Sequence, residues 1–155
     1  MAEIVVGVDG SPGSLEALRW AATEARLREA SLRLVHAWMV PLLEAMPEPW
    51  VLGAPAASPS EEEVYTHLQA GAGAVLDAAL AAAREQEPGL PVEGSLVEAR
   101  PARALIDAAR EADLLVVGSR GRGGFAGLLL GSASAQCVHH APCPVVVVPA
   151  RREDD

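Results

Sequence analysis

Short apolar runs alternate along the chain with stretches of helical periodicity. Ile4-Val-Val-Gly-Val8 is nearly continuous, the pattern of a strand buried on both faces of a sheet. Asp9-Gly10-Ser11-Pro12 follows, with Ser11 placed as an N-cap and Pro12 at the first helical position. Leu15, Leu18, Ala22 and Ala25 then recur at helical spacing, while Glu16, Arg19, Arg26 and Glu29 face elsewhere. Leu32 to Met39 predicts the second strand. Val64, Leu68, Ala72, Val75, Ala79 and Ala83 predict a helix that ends before Pro88-Gly89. Its start is placed at Ser58-Pro59-Ser60-Glu61, a capping box with Pro at the first helical position. Val92 to Val97 gives a weaker third strand. Pro101 opens a helix with the apolar face Ala102, Leu105, Ile106 and Ala109.

Leu114 to Val117 predicts the fourth strand, Ala133 to Ala141 the last helix, and Pro144 to Val148 the fifth strand. Regular alternation of strand and helix indicates one α/β domain over residues 1–150, an open parallel five-stranded sheet with helices on both faces. Two segments stand outside this pattern. Residues 41–59 are rich in Pro and Ala without periodicity and read as a long mobile loop, and residues 151–155 form a polar tail.

Composition narrows the function classes. Half of the 155 residues are hydrophobic but only 3% are aromatic, so the core is built from Val, Leu, Ile and Ala. The net charge of −9 opposes nucleic-acid binding, which needs a basic footprint. All 12 basic residues are Arg. A Walker A loop, a protein kinase and a Schiff-base enzyme each require a Lys, so their standard forms are excluded. The N-terminus lacks the basic region and cleavage site of a signal peptide. No apolar run approaches the roughly 20 residues of a membrane helix. With only Cys137 and Cys143, a disulfide framework is absent and a reduced, cytoplasmic setting is expected.

The chemistry concentrates after the fourth strand. Gly118-Ser119-Arg120-Gly121-Arg122-Gly123-Gly124 places arginines among flexible backbone, and Gly131-Ser132 opens the last helix. Glycines let backbone N–H groups approach a phosphate, and the helix N-terminus adds partial positive charge. Arginines at such a loop are natural phosphate partners. In an open parallel sheet, ligands bind beyond the carboxyl ends of the strands, where the strand order reverses. Asp9, Ala37 and the glycine loop all fall at such ends, which turns a phosphate site into a nucleoside phosphate site. Asp9 has two readings: it starts a turn before a helix, or it bonds ribose hydroxyls and holds Mg²⁺ through water.

The spacing Gly118-x₂-Gly121-x₉-Gly131-Ser132 resembles the ATP-binding signature of the universal stress protein family at every defined position. Ile4 to Ser11 resembles the family's opening strand and turn, and His140-Ala-Pro-Cys-Pro-Val145 its approach to the last strand. The resemblance implies a Rossmann-like strand order 3-2-1-4-5 and a homodimer. It also implies that Gly7, Val8 and Asp9 lie beside the nucleoside and that Ala37 meets adenine through its backbone. Gly118 to Gly124 would wrap the ribose and phosphates, and Gly131, Ser132, Ala133 and Ser134 would hold the phosphates. One departure is Glu98-Ala99-Arg100-Pro101, where family members often carry a glycine before the Pro. Its place beside the third strand predicts no effect on nucleotide binding.

Three further expectations follow. An edge strand of bare valines, Pro144 to Pro149, favours pairing with a second copy of the chain. Cys137-x-His139-His140-x₂-Cys143 is not expected to bind metal, because a helix end and Pro142 separate the cysteines. Trp38 and Trp50 flank the long loop and pack against the domain edge rather than the adenine. The expected function is an ATP-binding stress-response regulator acting on an unidentified protein client. The alternatives are a slow ATPase or autophosphorylating protein, and a nucleotide-free dimeric scaffold. AMP and cyclic AMP would also satisfy an adenine-and-ribose site; the x₉ segment speaks for a triphosphate.

Overall fold

Ser11 and Pro12 begin the first helix as their chemistry demands. The Ser14 N–H donates to Ser11 Oγ at 3.2 Å, and Pro12 stands where a missing N–H costs nothing. The structure is a computed structural model describing residues 1–41, 59–121 and 130–150. The expected 41–59 loop lies almost wholly outside these residues, as do Trp50 and the 151–155 tail.

Strand and helix alternate in the order β1 (Glu3–Gly7), α1 (Pro12–Leu27), β2 (Ser31–Trp38), α2 (Glu61–Gln86), β3 (Val92–Glu98), α3 (Pro101–Ala108), β4 (Leu114–Gly118), α4 (Ser132–His140) and β5 (Val145–Val148). A 3₁₀ turn, Ala109–Glu111, extends α3. All described strand pairs are parallel, in the order β3-β2-β1-β4-β5, the expected arrangement. A parallel ladder requires a crossover between neighbours, and the helices supply it.

The period of two along each strand divides the core. Ile4, Val6, Leu32, Leu34, Leu114 and Val116 point to the face covered by α1 and α2. Val5, Val35, Leu115 and Val117 point to the face covered by α3 and α4. The alanines Ala17, Ala21, Ala22 and Ala25 are fully buried, so α1 lies close on the sheet without large side chains.

Two local expectations are corrected. Leu15 is 38% exposed, because α1 turns its alanines and Leu18 to the sheet and leaves Leu15 off that stripe. The start of α2 lies two residues later than the Ser58–Glu61 reading. Ser60 is the N-cap: the Glu63 N–H donates to Ser60 Oγ at 3.1 Å, and the Ser60 N–H donates to Glu63 Oε2 at 3.3 Å. Trp38 packs edge-on against Tyr65 with ring centroids 5.1 Å apart, and the Tyr65 hydroxyl donates to Glu98 at 3.0 Å. That bond and the Glu98 charge push the Tyr65 hydroxyl pKa up. Among the described residues no helix is long and apolar enough to cross a membrane.

Candidate functional site

The chain changes faces of the sheet between β1 and β4, and the carboxyl ends of the strands splay apart there. A cavity of about 400 Å³ opens at this point. Gly7, Val8 and Asp9 come to it from β1 and its turn, and Val35, His36 and Ala37 from β2. Val117, Gly118, Arg120 and Gly121 come from β4 and its loop, and Gly131 to Ser134 from the start of α4. Elements far apart in sequence therefore bring most of the sequence-predicted residues to one wall. Arg122, Gly123 and Gly124 lie outside the described residues.

Ser119 is the exception. It is buried at 9% exposure and does not line the cavity. Its N–H donates to the Val148 carbonyl at 2.9 Å, its carbonyl accepts the Gly131 N–H at 2.7 Å, and its Oγ accepts the Ala150 N–H at 3.3 Å. Ser119 thus pins both ends of the glycine loop to β5 and α4, a structural task.

The glycines are close-approach positions. Among the described residues the glycines with positive φ are Gly10 and Gly89, neither of which belongs to the loop signature. A Cβ on Gly118 would stand 3.0 Å from the Gly13 carbonyl oxygen, and one on Gly13 would stand 2.8 Å from the Arg120 carbonyl oxygen. Backbone meets backbone on both sides, so neither contact can relax through a rotamer.

Asp9 performs the turn function and also faces the cavity. Its Oδ1 accepts the Ser11 N–H at 2.9 Å, closing the turn into α1. Its Oδ2 lies 2.8 Å from the position of a Cβ on Gly121. Asp9 is the one carboxylate among the described residues lining the cavity, where Arg100, Arg103 and Arg120 are also present. A chain of net charge −9 therefore carries a locally cationic pocket.

Backbone groups supply the remaining polarity. The β1–β2 ladder ends at the pair Gly7↔Val35, with one further bond from the Val8 N–H to the Val35 carbonyl at 3.0 Å. The Trp38 carbonyl instead accepts the Ala99 N–H on the β3 side. By strand alternation, the N–H and C=O of Ala37 share Val35's side and extend past the end of β1. They present one donor and one acceptor at the cavity edge. His36 is buried and directs Nδ1 to the Val8 carbonyl at 2.7 Å; a carbonyl only accepts, so Nδ1 carries the proton.

At the other end, α4 starts at Gly131 with no side-chain cap, so its first-turn N–H groups are available to an anion. Ser134 Oγ donates to the Gly118 carbonyl at 2.5 Å and fixes this helix start to β4. The cysteines belong elsewhere. Burial in the core between the sheet and the α3–α4 layer pushes the Cys137 thiol up to about 11, and burial also raises Cys143. Among the described residues no group of three or more His, Cys, Asp or Glu side chains is arranged to hold a metal.

The model of the universal stress protein family matches residues 1–149. The chain belongs to that family. A universal stress protein of Mycobacterium tuberculosis is 36% identical over 152 residues, covering 94% of this chain and 47% of its own length. The chain thus spans about half the length of the curated relatives it matches. Among solved structures, a universal stress protein in complex with cAMP is 31% identical with a TM-score of 0.67, covering 97% of this chain and 98% of that one. A universal stress protein from Archaeoglobus fulgidus in complex with dAMP is 25% identical with a TM-score of 0.65, covering 96% and 98%.

The departure from the family pattern at Arg100-Pro101 falls on the site after all. Arg100, Pro101, Ala102, Arg103 and Leu105 form a wall of the same cavity, because the first turn of α3 folds over the ends of β1 and β2. A Cβ on Gly7 would come within 3.0 Å of Leu105, which shows how closely α3 approaches β1. The strand-end rule applied to β3 would have found this wall. In this member of the universal stress protein family, Arg100 follows β3 as expected and also lines the cavity.

Proposed function

We propose that this protein binds an adenine nucleotide, ATP in the first instance, as a stress-response regulatory protein. The observation that carries the reading is the convergence of four features on one cavity: the glycine loop, the uncapped start of α4, Asp9 and the exposed backbone of Ala37. The Ala37 N–H and C=O match the acceptor N1 and donor N6 of adenine. A guanine edge would oppose donor to donor and acceptor to acceptor. Relatives solved with cAMP and dAMP support an adenine ligand.

In this reading the nucleoside lies across the ends of β2 and β1, with Asp9 accepting from ribose hydroxyls. The phosphates reach Arg120, Gly121 and the first turn of α4, where backbone N–H groups and Ser132 offset their charge. Asp9 would be the residue to hold a Mg²⁺ ion here through water, and the ion would offset phosphate charge, since it commonly uses one carboxylate together with substrate phosphates. The protein acts in the cytoplasm as a homodimer joined through β5, and nucleotide occupancy reports to a protein client.

The test is calorimetric titration of nucleotide-stripped protein with ATP, AMP and cAMP, with and without Mg²⁺. Identification of any copurifying nucleotide accompanies it. Saturable binding with ATP favoured is expected. A stripped, folded protein that binds none of the three sinks the reading and leaves a scaffold.

A further inference from the structure

Arg100 stands at the end of the cavity away from the glycine loop. It follows Ala99, whose N–H donates to the Trp38 carbonyl at 3.1 Å, so Arg100 begins just past the point where β2 and β3 stop pairing and lines the same cavity as Ala37. As the N-cap of α3 it makes no capping bond, and its side chain has no ion pair among the described residues. Its neighbour Arg103 differs, held by Asp107 at 2.8 Å. Arg120 lies at the glycine-loop end.

The cavity wall at the Ala37 end is aliphatic: Val35, Ala102 and Leu105. Phe, Tyr and Trp are missing from the described lining, and the neighbouring Trp38 and Tyr65 pack edge-on against each other outside it. His36 also lines the cavity, but its ring is committed through Nδ1 to the Val8 carbonyl at 2.7 Å. A purine seated against the Ala37 backbone would therefore have aliphatic carbon on one side. Among the described residues, the planar group at that end without an ion pair is the Arg100 guanidinium. A guanidinium stacks on an aromatic face through both its plane and its charge, which an ammonium does not reproduce.

We infer that Arg100 is a binding contact for the base: its guanidinium covers the open face of the purine. The inference rests on the adenine-nucleotide reading above and concerns the base alone, so it separates from the phosphate contacts. Adenosine and ATP are titrated into wild type, R100A and R100K at low and high salt, with a thermal melt of each variant. Arg100 is exposed and uncapped, so both variants are expected to melt with the wild type. R100A is expected to weaken adenosine and ATP by the same factor, about five- to tenfold, at both salt concentrations. R100K is expected to recover little of that loss. Unchanged adenosine affinity in R100A overturns the inference, as does a loss confined to ATP and to low salt, or full recovery by R100K. A wild-type protein that binds neither ligand overturns the nucleotide reading itself, and the base contact with it.

Discussion

Asp9 and Gly121 face each other across the mouth of the cavity, with Oδ2 of Asp9 2.8 Å from where a Cβ on Gly121 would stand. The first turn of the chain and the glycine loop, more than a hundred residues later, are thus fitted to one another at a single carboxylate oxygen. Because Oδ1 of Asp9 is engaged by the Ser11 N–H, the carboxylate cannot rotate away without losing that bond. Gly121→Ala is expected to displace Asp9 and weaken ATP about tenfold, with a loss of stability under about 1 kcal/mol. Calorimetric titration together with urea denaturation separates the two effects.

The opposite balance is expected at Gly118. A methyl group there meets the Gly13 carbonyl oxygen at 3.0 Å, and that oxygen belongs to the backbone of α1. Gly118→Ala is expected to cost about 1–3 kcal/mol, the range for forcing an added methyl group into a packed site. Equal urea midpoints for Gly118→Ala and wild type would refute the close-approach account of this glycine.

Asp9 itself can be divided by substitution. Asp9→Asn keeps an oxygen for the Ser11 N–H but removes the charge, whereas Asp9→Ala removes both. Asn is expected to fold with near wild-type stability and to lose the Mg²⁺ dependence of ATP binding. Ala is expected to lose about 1 kcal/mol of stability as well, the usual worth of such a hydrogen bond. Identical Mg²⁺ dependence in wild type and Asp9→Asn would remove Asp9 from the metal reading.

The strands, the helices and the glycine loop were legible in the sequence because each rests on a local rule, whereas the strand order came from the family resemblance. A continuous apolar run demands burial on both faces, and a glycine-spaced loop between strand and helix demands a close approach. What was illegible depends on choices between equivalent local signals. The consecutive glutamates Glu61, Glu62 and Glu63 let Ser58 and Ser60 each find a glutamate three residues on, and the fold uses the Ser60 pair. Leu15 fits the helical period but lies beside the alanine stripe that seats α1. Ser119 sits inside the signature yet points to β5 and Ala150, and Arg100 sits outside it yet lines the cavity. The Ser119 role depends on how the chain after β5 folds back over the sheet, whereas the Arg100 wall lay within reach of the strand-end rule at β3.

The buried thiol gives a pH dependence with a definite sign. Cys137 has a folded pKa raised by burial to about 11 from an ordinary 9.0. Between those values the unfolded chain has released the proton while the folded chain retains it, so stability falls as pH rises. Below pH 9 the Cys137 contribution is constant. Urea midpoints measured across this window are expected to decline in wild type and to decline less in Cys137→Ala, which carries its own constant cavity cost. A parallel decline in both proteins would place the alkaline sensitivity elsewhere.

The proposed dimer has a test confined to one edge. The Pro144 carbonyl accepts the Leu115 N–H and the Val148 carbonyl accepts the Ser119 N–H, so alternate residues of β5 pair with β4. By that alternation Val145 and Val147 turn their N–H and C=O groups to the open edge of the sheet. Val147→Pro removes an outward donor while leaving the β4 ladder intact, as a proline on an edge strand can. The variant is expected to sediment as a monomer and to keep its nucleotide site, because the cavity lies at the β1–β4 switch and draws no residue from β5. A Val147→Pro protein that remains folded and dimeric would move the interface away from this edge.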